Sequence, residues 1–429
     1  MKSGDPWCEL SKVEDLYFLH LSDLHISGCL NRTLYKLLED IGLQLRNVRY
    51  LIIVVTGDFA CAGDVSGATD LIVFFFQKIR DVIPGNCAIL DIELTPGNHD
   101  VGRPEKKNGY NAKTYRYTNN DYMELEHKIR QVFASRISGA IKRYAKGTSA
   151  ITVLQYGVHK LCILNVDSSW FATREELIKR IRSEYGKNSI HVTKHQEKIV
   201  NSIIKQTEVA AKAQRLYLNR QYKRLQRRHL KFDLIIAISH FPITWMLKSC
   251  EQSIRGFLEY RGMSDVDIWM CGHVHNAQLY FNNEDNRSTT MLMTGIGRPD
   301  YEIRPSKGVR QRVNDTYQLQ RYSIYQMSHE RNVCSVQVRV SKRGEDFVRD
   351  DKFYRSSLSA QYNYLCLPLK TDVPGGFIRL NSFDNKDSKG LYVDYDTLSG
   401  IKEIGQRMVV FNERMQREMA EQFALILWI

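Results

Sequence analysis

Short polar segments that follow apolar, strand-like runs are the feature that most constrains this chain. They carry aspartate, asparagine and histidine, whose oxygen and nitrogen atoms bind divalent metals. The segments are Asp23-Leu24-His25, Gly57-Asp58, Gly97-Asn98-His99-Asp100, Ser239-His240-Phe241-Pro242 and Gly272-His273-Val274-His275. Because a short apolar run is typical of a buried strand, we expect the segments to form loops at the same edge of one sheet.

The composition is that of an ordinary globular protein. The chain has 429 residues, of which 43% are hydrophobic and 25% are charged, enough for one large domain and an appendage. No apolar stretch reaches transmembrane length, and Met1 to Trp7 lack the charged start and apolar core of a signal peptide. These observations predict a cytoplasmic protein that has no membrane partner.

The charge balance indicates the kind of partner. Lysine and arginine (61) outnumber aspartate and glutamate (48), which gives a formal net charge of +13. This excess favours a polyanionic partner, which is a nucleic acid or a nucleotide. The nine cysteines form no Cys-x-x-Cys pair, so we expect reduced thiols and neither a zinc ribbon nor a disulfide framework.

Strand and helix patterns alternate in the first hundred residues. Tyr17 to Ser22 is a buried-strand pattern, and Asn31 can cap the amphipathic helix that follows it. Tyr50 to Thr56 and Ala88 to Leu94 repeat the strand, with a helix predicted between them over Ala68 to Val82. This alternation predicts an α/β fold with a largely parallel centre.

The rest of the chain divides into insertions, further strands and an end segment. We predict helical insertions over about 103–147 and 193–231, and a β-hairpin over 151–166. Further strands are expected at 233–239, 267–271, 289–294, 322–327 and 333–340. The main domain is therefore predicted to span 15–345. Residues 346–429 would form a linker and an accessory segment with a terminal helix over 404–424. Its apolar end would contact a protein partner, continue into a longer polypeptide or pack onto its own domain.

The polar segments together contain the ligands of a dinuclear metal site. A single aspartate or histidine after a strand is usually a cap or a satisfied core group. Two metals lying about 3.5 to 4 Å apart need a bridging carboxylate and a mixed set of oxygen and imidazole ligands. The segments offer these groups and no thiolate, which favours manganese and also fits iron or zinc, but not a closed structural zinc site.

The order and wording of the segments resemble the calcineurin-like metallophosphoesterases. Their blocks are D-x-H, G-D, G-N-H-D/E, H and G-H-x-H, and the resemblance covers about residues 15 to 345. It implies a four-layer α/β/β/α sandwich of two mixed sheets. The strings LSDLH, TGDFACAGD, TPGNHD and CGHVH are most similar to the cyclic-nucleotide phosphodiesterase branch, while the repair-nuclease branch uses similar blocks.

The resemblance also implies a role for each site residue. One metal would be held by Asp23, His25 and His275, and the other by Asn98, His240 and His273, with Asp58 as the bridge. The metals would activate a bridging water for in-line attack on a phosphodiester. His99 would act on the phosphate or the leaving group, and Asp100 is the candidate for fixing the His99 tautomer.

Two positions in or near the polar segments need separate interpretation. Many relatives carry a second histidine where Phe241 stands, a departure that bears on the surroundings of the metals or on substrate contacts. His20 lies inside the first strand and is interpreted as structural.

The substrate is less sharply indicated than the metal chemistry. The segment Lys198 to Lys231 is strongly basic with interleaved tyrosines, which is typical either of a nucleic-acid track or of a solvated helix face. Candidate substrate contacts there are Arg224, Arg227 and Arg228, and Asp167 is a further candidate in an Asp/Ser-rich turn. Nucleic acid is slightly favoured. The alternatives are a cyclic-nucleotide or other small-molecule phosphodiesterase or phosphatase, and a binding scaffold or effector domain of a larger assembly.

Overall fold

Two mixed β-sheets form the centre of the molecule. The computed structural model describes residues 16–61, 64–101, 120–138, 141–156, 159–169, 194–227, 232, 234–241, 266–273, 278–282, 289–296, 319–328, 333–342, 344–350, 365–368 and 377–380. The first sheet contains β1 (Leu16–Leu21), β2 (Tyr50–Val55), β3 (Ala88–Leu94), β11 (Leu319–Ser328), β12 (Val333–Lys342), β13 (Val348–Arg349) and β14 (Leu365–Pro368). The second contains β4 (Ile141–Lys146), β5 (Ser149–Tyr156), β6 (His159–Asn165), β7 (Leu234–Ile238), β8 (Ile268–Cys271), β9 (Gln278–Asn282), β10 (Thr289–Met293) and β15 (Phe377–Leu380).

Each sheet combines parallel and antiparallel strands: the parallel strands form one end of the first sheet and the centre of the second. The first sheet has the order β13-β12-β11-β1-β2-β3, with β14 also paired to β12, and β1, β2 and β3 are parallel. The second has the order β15-β9-β10-β8-β7-β6-β5-β4, and β6, β7, β8 and β10 are parallel. The mixed sheets predicted from the sequence are confirmed.

The side chains of the strands divide the core into three apolar layers. Phe18 and Ile52 on one face of the first sheet pack with Ile236 and Met270 of the second sheet, so this cluster fills the space between the sheets. The opposite face of the first sheet is covered by α1 (Arg32–Gln44), α2 (Val65–Val82) and α3 (Asn120–Phe133). The outer face of the second sheet is covered by α4 (Lys194–Arg227). The four-layer sandwich is therefore confirmed.

The first helices begin where side chains can cap them. Asn31 precedes α1, and its Oδ1 accepts a hydrogen bond from the backbone N–H of Leu34 (3.0 Å), as the sequence predicts. The second helix starts at Val65, three residues before the predicted Ala68. Asp64 caps it by accepting from Gly67 N (3.1 Å), which satisfies a backbone donor of the first turn.

The first predicted insertion is only partly helical. Helix α3 lies inside it, but Ile141–Lys146 is the strand β4, which corrects the helical prediction for that stretch. The reason is local, because β4 pairs with β5 through a two-residue loop in which Gly147 takes a φ of +58°. Glycine at the first position of such a loop is typical of a tight hairpin turn.

Strands also occur beyond the predicted domain boundary. The short strands β13, β14 and β15 pair with β12 or β9, so parts of the chain after residue 345 join both sheets. The boundary itself stays a prediction. The helix predicted over 404–424 lies outside the described residues. None of the helices in the described part of the chain combines the length and the apolar character that membrane crossing requires.

Candidate metal centre

The polar segments meet at one edge of the sandwich, where parallel strands of both sheets end. Asp23 and His25 follow β1, Asp58 follows β2, and Asn98 follows β3, all from the first sheet. His240 and His273 follow β7 and β8 of the second sheet. The expectation of a single sheet is thus corrected, because the two sheets stack face to face and bring their loop edges together.

Backbone hydrogen bonds fix the loops to each other. Asp23 N donates to the carbonyl of Gly57 (2.9 Å), and His25 N donates to the carbonyl of Asp58 (2.9 Å). Across the sandwich, His273 N donates to Oδ2 of Asp23 (3.0 Å), which joins the first loop to the last one described. Bonds between loops therefore hold the backbone from which the predicted ligand side chains project.

The backbone is in a rarely adopted conformation at the predicted ligands. Among the described residues other than glycine, positive φ angles occur at Asp23 (56°), His25 (45°), Asp58 (57°) and His273 (70°). This left-handed region costs a non-glycine residue roughly 1 kcal/mol or more, and such strain concentrates at functional sites. Among the described non-glycine residues this conformation occurs only at four predicted ligands, which indicates that these loops form a functional site.

The Asp58 carboxylate lies at the centre of the cluster. Its Oδ2 is 3.7 Å from Nε2 of His25 and 4.0 Å from Nε2 of His99, and its Oδ1 is 3.5 Å from Nε2 of His240. Two sets of groups with ligand atoms within 4.8 Å of one another share Asp58. One contains His25 and His99, and the other contains His240 and His273.

The second set includes an amide oxygen. Oδ1 of Asn98 lies 3.0 Å from Nε2 of His240, which lies 3.2 Å from Nδ1 of His273. The other ring nitrogen of His240, Nδ1, is 2.7 Å from the carbonyl oxygen of Thr56. A proton on Nδ1 satisfies this carbonyl and leaves the Nε2 lone pair facing the cluster, the arrangement that metal-binding histidines use.

The electrostatics of the cluster favour an ionised bridge. Burial alone would raise the pKa of Asp58, but the imidazoles of His240, His99, His25 and His273 surround it and lower its pKa well below the usual value. A carboxylate held in its charged form among imidazoles is a suitable ligand for divalent metals. The donors are oxygen and nitrogen, and the nearby Cys61 thiol is directed to the carbonyl of His25 (3.1 Å). The residues present therefore fit a dinuclear site.

His99 is placed differently from the buried histidines. Its side chain is 14% exposed, whereas those of His25 and His240 are fully buried. Its backbone N–H donates to Oδ1 of Asp58 (2.9 Å), and its ring lies edge-on to the His25 ring at 5.0 Å. The imidazole thus lies at the solvent side of the cluster.

The Asp100 carboxylate accepts hydrogen bonds from the backbone of two loops. Its Oδ2 accepts from Gly97 N (2.8 Å) and its Oδ1 accepts from Ala60 N (3.1 Å), so both oxygens are engaged by loop amides. Burial, followed by the charge of Asp58, raises the pKa of Asp100 well above its usual value. These contacts favour a role in shaping the loops around Asp58 over the predicted role on the His99 ring.

The remaining predicted site residues have different surroundings. Asp167 is 1% exposed, and its carboxylate accepts hydrogen bonds from Thr148 and Ser169, which favours a structural role over substrate contact. Arg224 and Arg227 are exposed on α4. His275 and Arg228 lie outside the described residues.

Phe241 and His20 are both core residues. The Phe241 ring is buried, 4.2 Å from the His273 ring and 5.2 Å from the His240 ring between centroids, so it packs against two predicted ligands. His20 is buried between the Tyr325 hydroxyl (3.0 Å) and the Thr56 hydroxyl (2.9 Å). Burial lowers the pKa of His20 to about 3, so the ring is neutral at pH 7 and its structural interpretation is supported.

Groups outside the motifs also shape the centre. The Thr56 carbonyl, Ser22 and Ser168 contact the ligand loops, and none of them has a role there that the sequence predicts. A carbonyl carries no sequence signal of its own. Ser168 belongs to a turn whose Asp/Ser content is ordinary for any turn, so only its position in the fold reveals its contacts.

Comparison with known proteins agrees with this fold. The family model described as Calcineurin-like phosphoesterase matches residues 16–277, more than half of the chain, and the chain belongs to that family. Metal-dependent phosphoester hydrolysis is the chemistry of that family, and the Asp/His clusters of this chain are compatible with divalent metals. No curated protein matches the chain.

Similar solved structures include two distant ones. One is GAP50, described as the anchor in the inner membrane complex of Plasmodium, with 13% identity, coverage of 78% of this chain and 88% of that one, and a TM-score of 0.34. The other is the NAD nucleotidase of Haemophilus influenzae, with 10% identity, coverage of 78% of this chain and 53% of that one, and a TM-score of 0.33. At such scores neither protein informs the activity of this chain.

Proposed function

We propose that this protein is a dinuclear metal-dependent phosphodiesterase, with nucleic acid as the favoured substrate. The observation that carries the proposal is the Asp58 carboxylate, which lies 3.7 Å from the His25 imidazole and 3.5 Å from the His240 imidazole, one from each proposed ligand set. Asp23, His25 and His275 would hold one metal, and Asn98, His240 and His273 the other. Manganese is the favoured ion, and iron or zinc also fits the donors. The cytoplasmic location stays a prediction.

The chain's own residues divide the remaining work. Two divalent ions bound there would supply Lewis-acid activation of the phosphate and of the attacking water. The imidazole of His99, at the solvent side of the cluster, would stabilise the phosphate oxygens or deliver a proton to the leaving alkoxide. Asp100 would hold the Gly97 and Ala60 backbone, so that His99 and Asp58 keep their separation.

The proposal is tested by metal content and a substrate panel. The purified chain should contain divalent metal by elemental analysis and, with added manganese, should hydrolyse bis-(p-nitrophenyl) phosphate. Single-stranded DNA, RNA and cyclic AMP then rank the substrate classes. Turnover of polynucleotide supports the nucleic-acid assignment, while turnover of cyclic AMP alone supports the small-molecule alternative. Absence of both bound metal and turnover contradicts the enzyme and favours a binding scaffold.

The direction of α4 bears on how a polynucleotide would reach the metals. Nε2 of Gln214 donates to the carbonyl of Asp167 (3.0 Å), in the turn that follows β6 at the edge of the ligand loops. Further along the helix, the Tyr222 ring lies 6.1 Å from the ring of Phe232, just before β7 begins. The second half of α4, from Gln214 onwards, therefore runs from the ligand edge towards the opposite edge, and Arg224 and Arg227 lie near its far end.

Exposed lysines lie on the part of α4 that precedes Gln214. Lys198, Lys205 and Lys212 are exposed, and their spacing of seven residues puts them along one face of α4. At 1.5 Å per residue, this ridge reaches from beside Gln214 to about 24 Å before it along the helix axis. Regularly spaced cations extending from the ligand edge suit a phosphate backbone, so we assign the polynucleotide track to this ridge.

Replacement of the three ridge lysines by glutamine is expected to raise KM for polynucleotide about tenfold at low salt. Each phosphate of a single strand that a lysine neutralises adds about 0.7 to the slope of log affinity against log salt, so the slope should fall by about 2. Hydrolysis of bis-(p-nitrophenyl) phosphate should stay within about twofold, because this substrate is too small to span the ridge. Steady-state kinetics at several salt concentrations measure both effects.

A matched triple variant at the far end of α4 serves as the control. Lys223, Arg224 and Arg227 are also exposed and carry the same number of charges. Their replacement by glutamine should change polynucleotide KM less than replacement of the ridge. A larger effect at the far end would mean that the polynucleotide binds near Arg224 and Arg227 and not along the ridge. Equal effects at both ends would mean that binding depends only on the net charge of the protein.

A further inference from the structure

The loop that carries His240 has each of its central backbone groups hydrogen bonded. The carbonyl of His240 accepts from Gly272 N (3.0 Å), and the carbonyl of Phe241 accepts from the Ser239 hydroxyl (2.8 Å). The N–H groups of His240 and Phe241 both donate to one atom, Oγ of Ser168, at 2.9 and 2.8 Å. A single hydroxyl therefore satisfies the two consecutive donors of this loop.

We propose that Ser168 is a positioning residue that sets the metal affinity of the His240 site. The inference rests on the proposed dinuclear centre. Ser168 is fully buried, so water cannot replace its hydroxyl as the acceptor. With the backbone held there and Nδ1 of His240 on the Thr56 carbonyl, the ring has two fixed points, and Nε2 is directed towards Asp58 and Asn98.

The Ser168 turn is itself fixed by bonds that do not involve the ligands. On one side, Oδ1 of Asp167 accepts from both the backbone N–H and the hydroxyl of Ser169 (3.0 and 2.5 Å). On the other, Gln214 of α4 donates to the Asp167 carbonyl (3.0 Å), and Val166 N donates to the Ile238 carbonyl (2.9 Å). Ser168 thus joins the loop after β7 to a turn that contacts with β7 and α4 hold in place.

Loss of the hydroxyl should affect the two metals unequally. Without it, the N–H groups of His240 and Phe241 have to find other partners, and the loop shifts to provide them. The outer partners of metal ligands typically contribute 10- to 100-fold to metal affinity, so we expect a loss in that range at the site of Asn98, His240 and His273. The site of Asp23 and His25 should keep its affinity, since the backbone bonds described for their loop run to Gly57 and Asp58.

The whole chain is freed of metal with a chelator and then titrated with Mn²⁺. Binding is followed by calorimetry and by the electron paramagnetic resonance signal of free Mn²⁺. The unmodified chain should bind two ions. Ser168→Ala should weaken one of them by at least about tenfold and leave the other unchanged. Ser341→Ala is the matched control, because Ser341 is also a buried serine and its hydroxyl donates to the carbonyl of Glu345 (2.7 Å), and both affinities should stay within about threefold.

A second pair of variants separates positioning from simple damage to the core. Ser168→Thr and Ser168→Val add the same bulk, but only threonine keeps the oxygen. Recovery of the weakened site in Ser168→Thr relative to Ser168→Val supports the assignment, with thermal unfolding of the metal-free proteins as a check on folding. Two affinities unaltered in Ser168→Ala, or equal affinities in the threonine and valine variants, overturn it. If the unmodified chain binds no metal, the proposed function fails instead.

Discussion

Replacement of Asp58 by alanine is expected to abolish phosphodiester hydrolysis. The carboxylate lies between the two ligand sets, so its loss removes the shared ligand and the negative charge that the surrounding imidazoles stabilise. Lewis-acid stabilisation by metals is worth several kcal/mol, so activity should fall roughly 10³-fold or more. Turnover of bis-(p-nitrophenyl) phosphate and bound metal per chain are the two measurements, and both should decrease together.

Two further variants show whether the loss is specific. Asp58→Asn keeps the size of the side chain and an oxygen for His99 N, but it removes the charge, and it should be nearly as inactive as Asp58→Ala. Asp70 is an exposed carboxylate on α2, and Asp70→Ala should keep full activity. All three proteins should give cooperative thermal unfolding. Retained hydrolysis in Asp58→Ala would refute the bridging role.

The position of the predicted ligands in loops after strands could be predicted from the sequence because each is a local signal. An apolar run followed by aspartate or histidine, as at Asp23 and Asp58, identifies both a strand and the loop after it. The contact between His240 and Asn98 cannot be predicted from a local signal. It requires two sheets to stack at one edge, and this stacking depends on pairings between distant strands and on a shared apolar layer. The resemblance to a family supplied that part of the prediction.

The sequence did not reveal the turn that makes residues 141–146 a strand, nor the direction in which helix α4 runs. The basic composition of residues 141–146 resembled a helical insertion, and the single glycine at 147 gave little warning of the hairpin that makes them a strand. The basic residues of α4 were visible, but the edge to which each half belongs depends on Gln214 and Tyr222 contacts with other elements. Charge can be counted along a sequence, while its distance from the metals is a property of the fold.

Replacement of Gly57 by alanine is expected to destabilise the protein and disrupt the centre. Gly57 has a φ of +89°, and a Cβ atom placed there would clash with Gly97 N and lie 2.6 Å from Gly97 Cα and 2.8 Å from Nδ1 of His240. Two of these contacts are with backbone, so no side-chain rotation relieves them. Overcrowding and an unfavourable φ together should lower the free energy of unfolding by roughly 3 kcal/mol or more.

Chemical denaturation of the metal-free protein measures the loss, and Mn²⁺ titration shows its effect on the site. Gly85 provides the control, because it lies in an exposed turn where an added Cβ meets nothing within 4 Å. Gly85→Ala should change the free energy of unfolding by less than about 1 kcal/mol and leave metal binding intact. Equal stability of the two variants would mean that the loops after β2 and β3 can separate freely. The strained ligand conformations at Asp23, His25 and Asp58 would then lack the close backbone contact that we expect to maintain them.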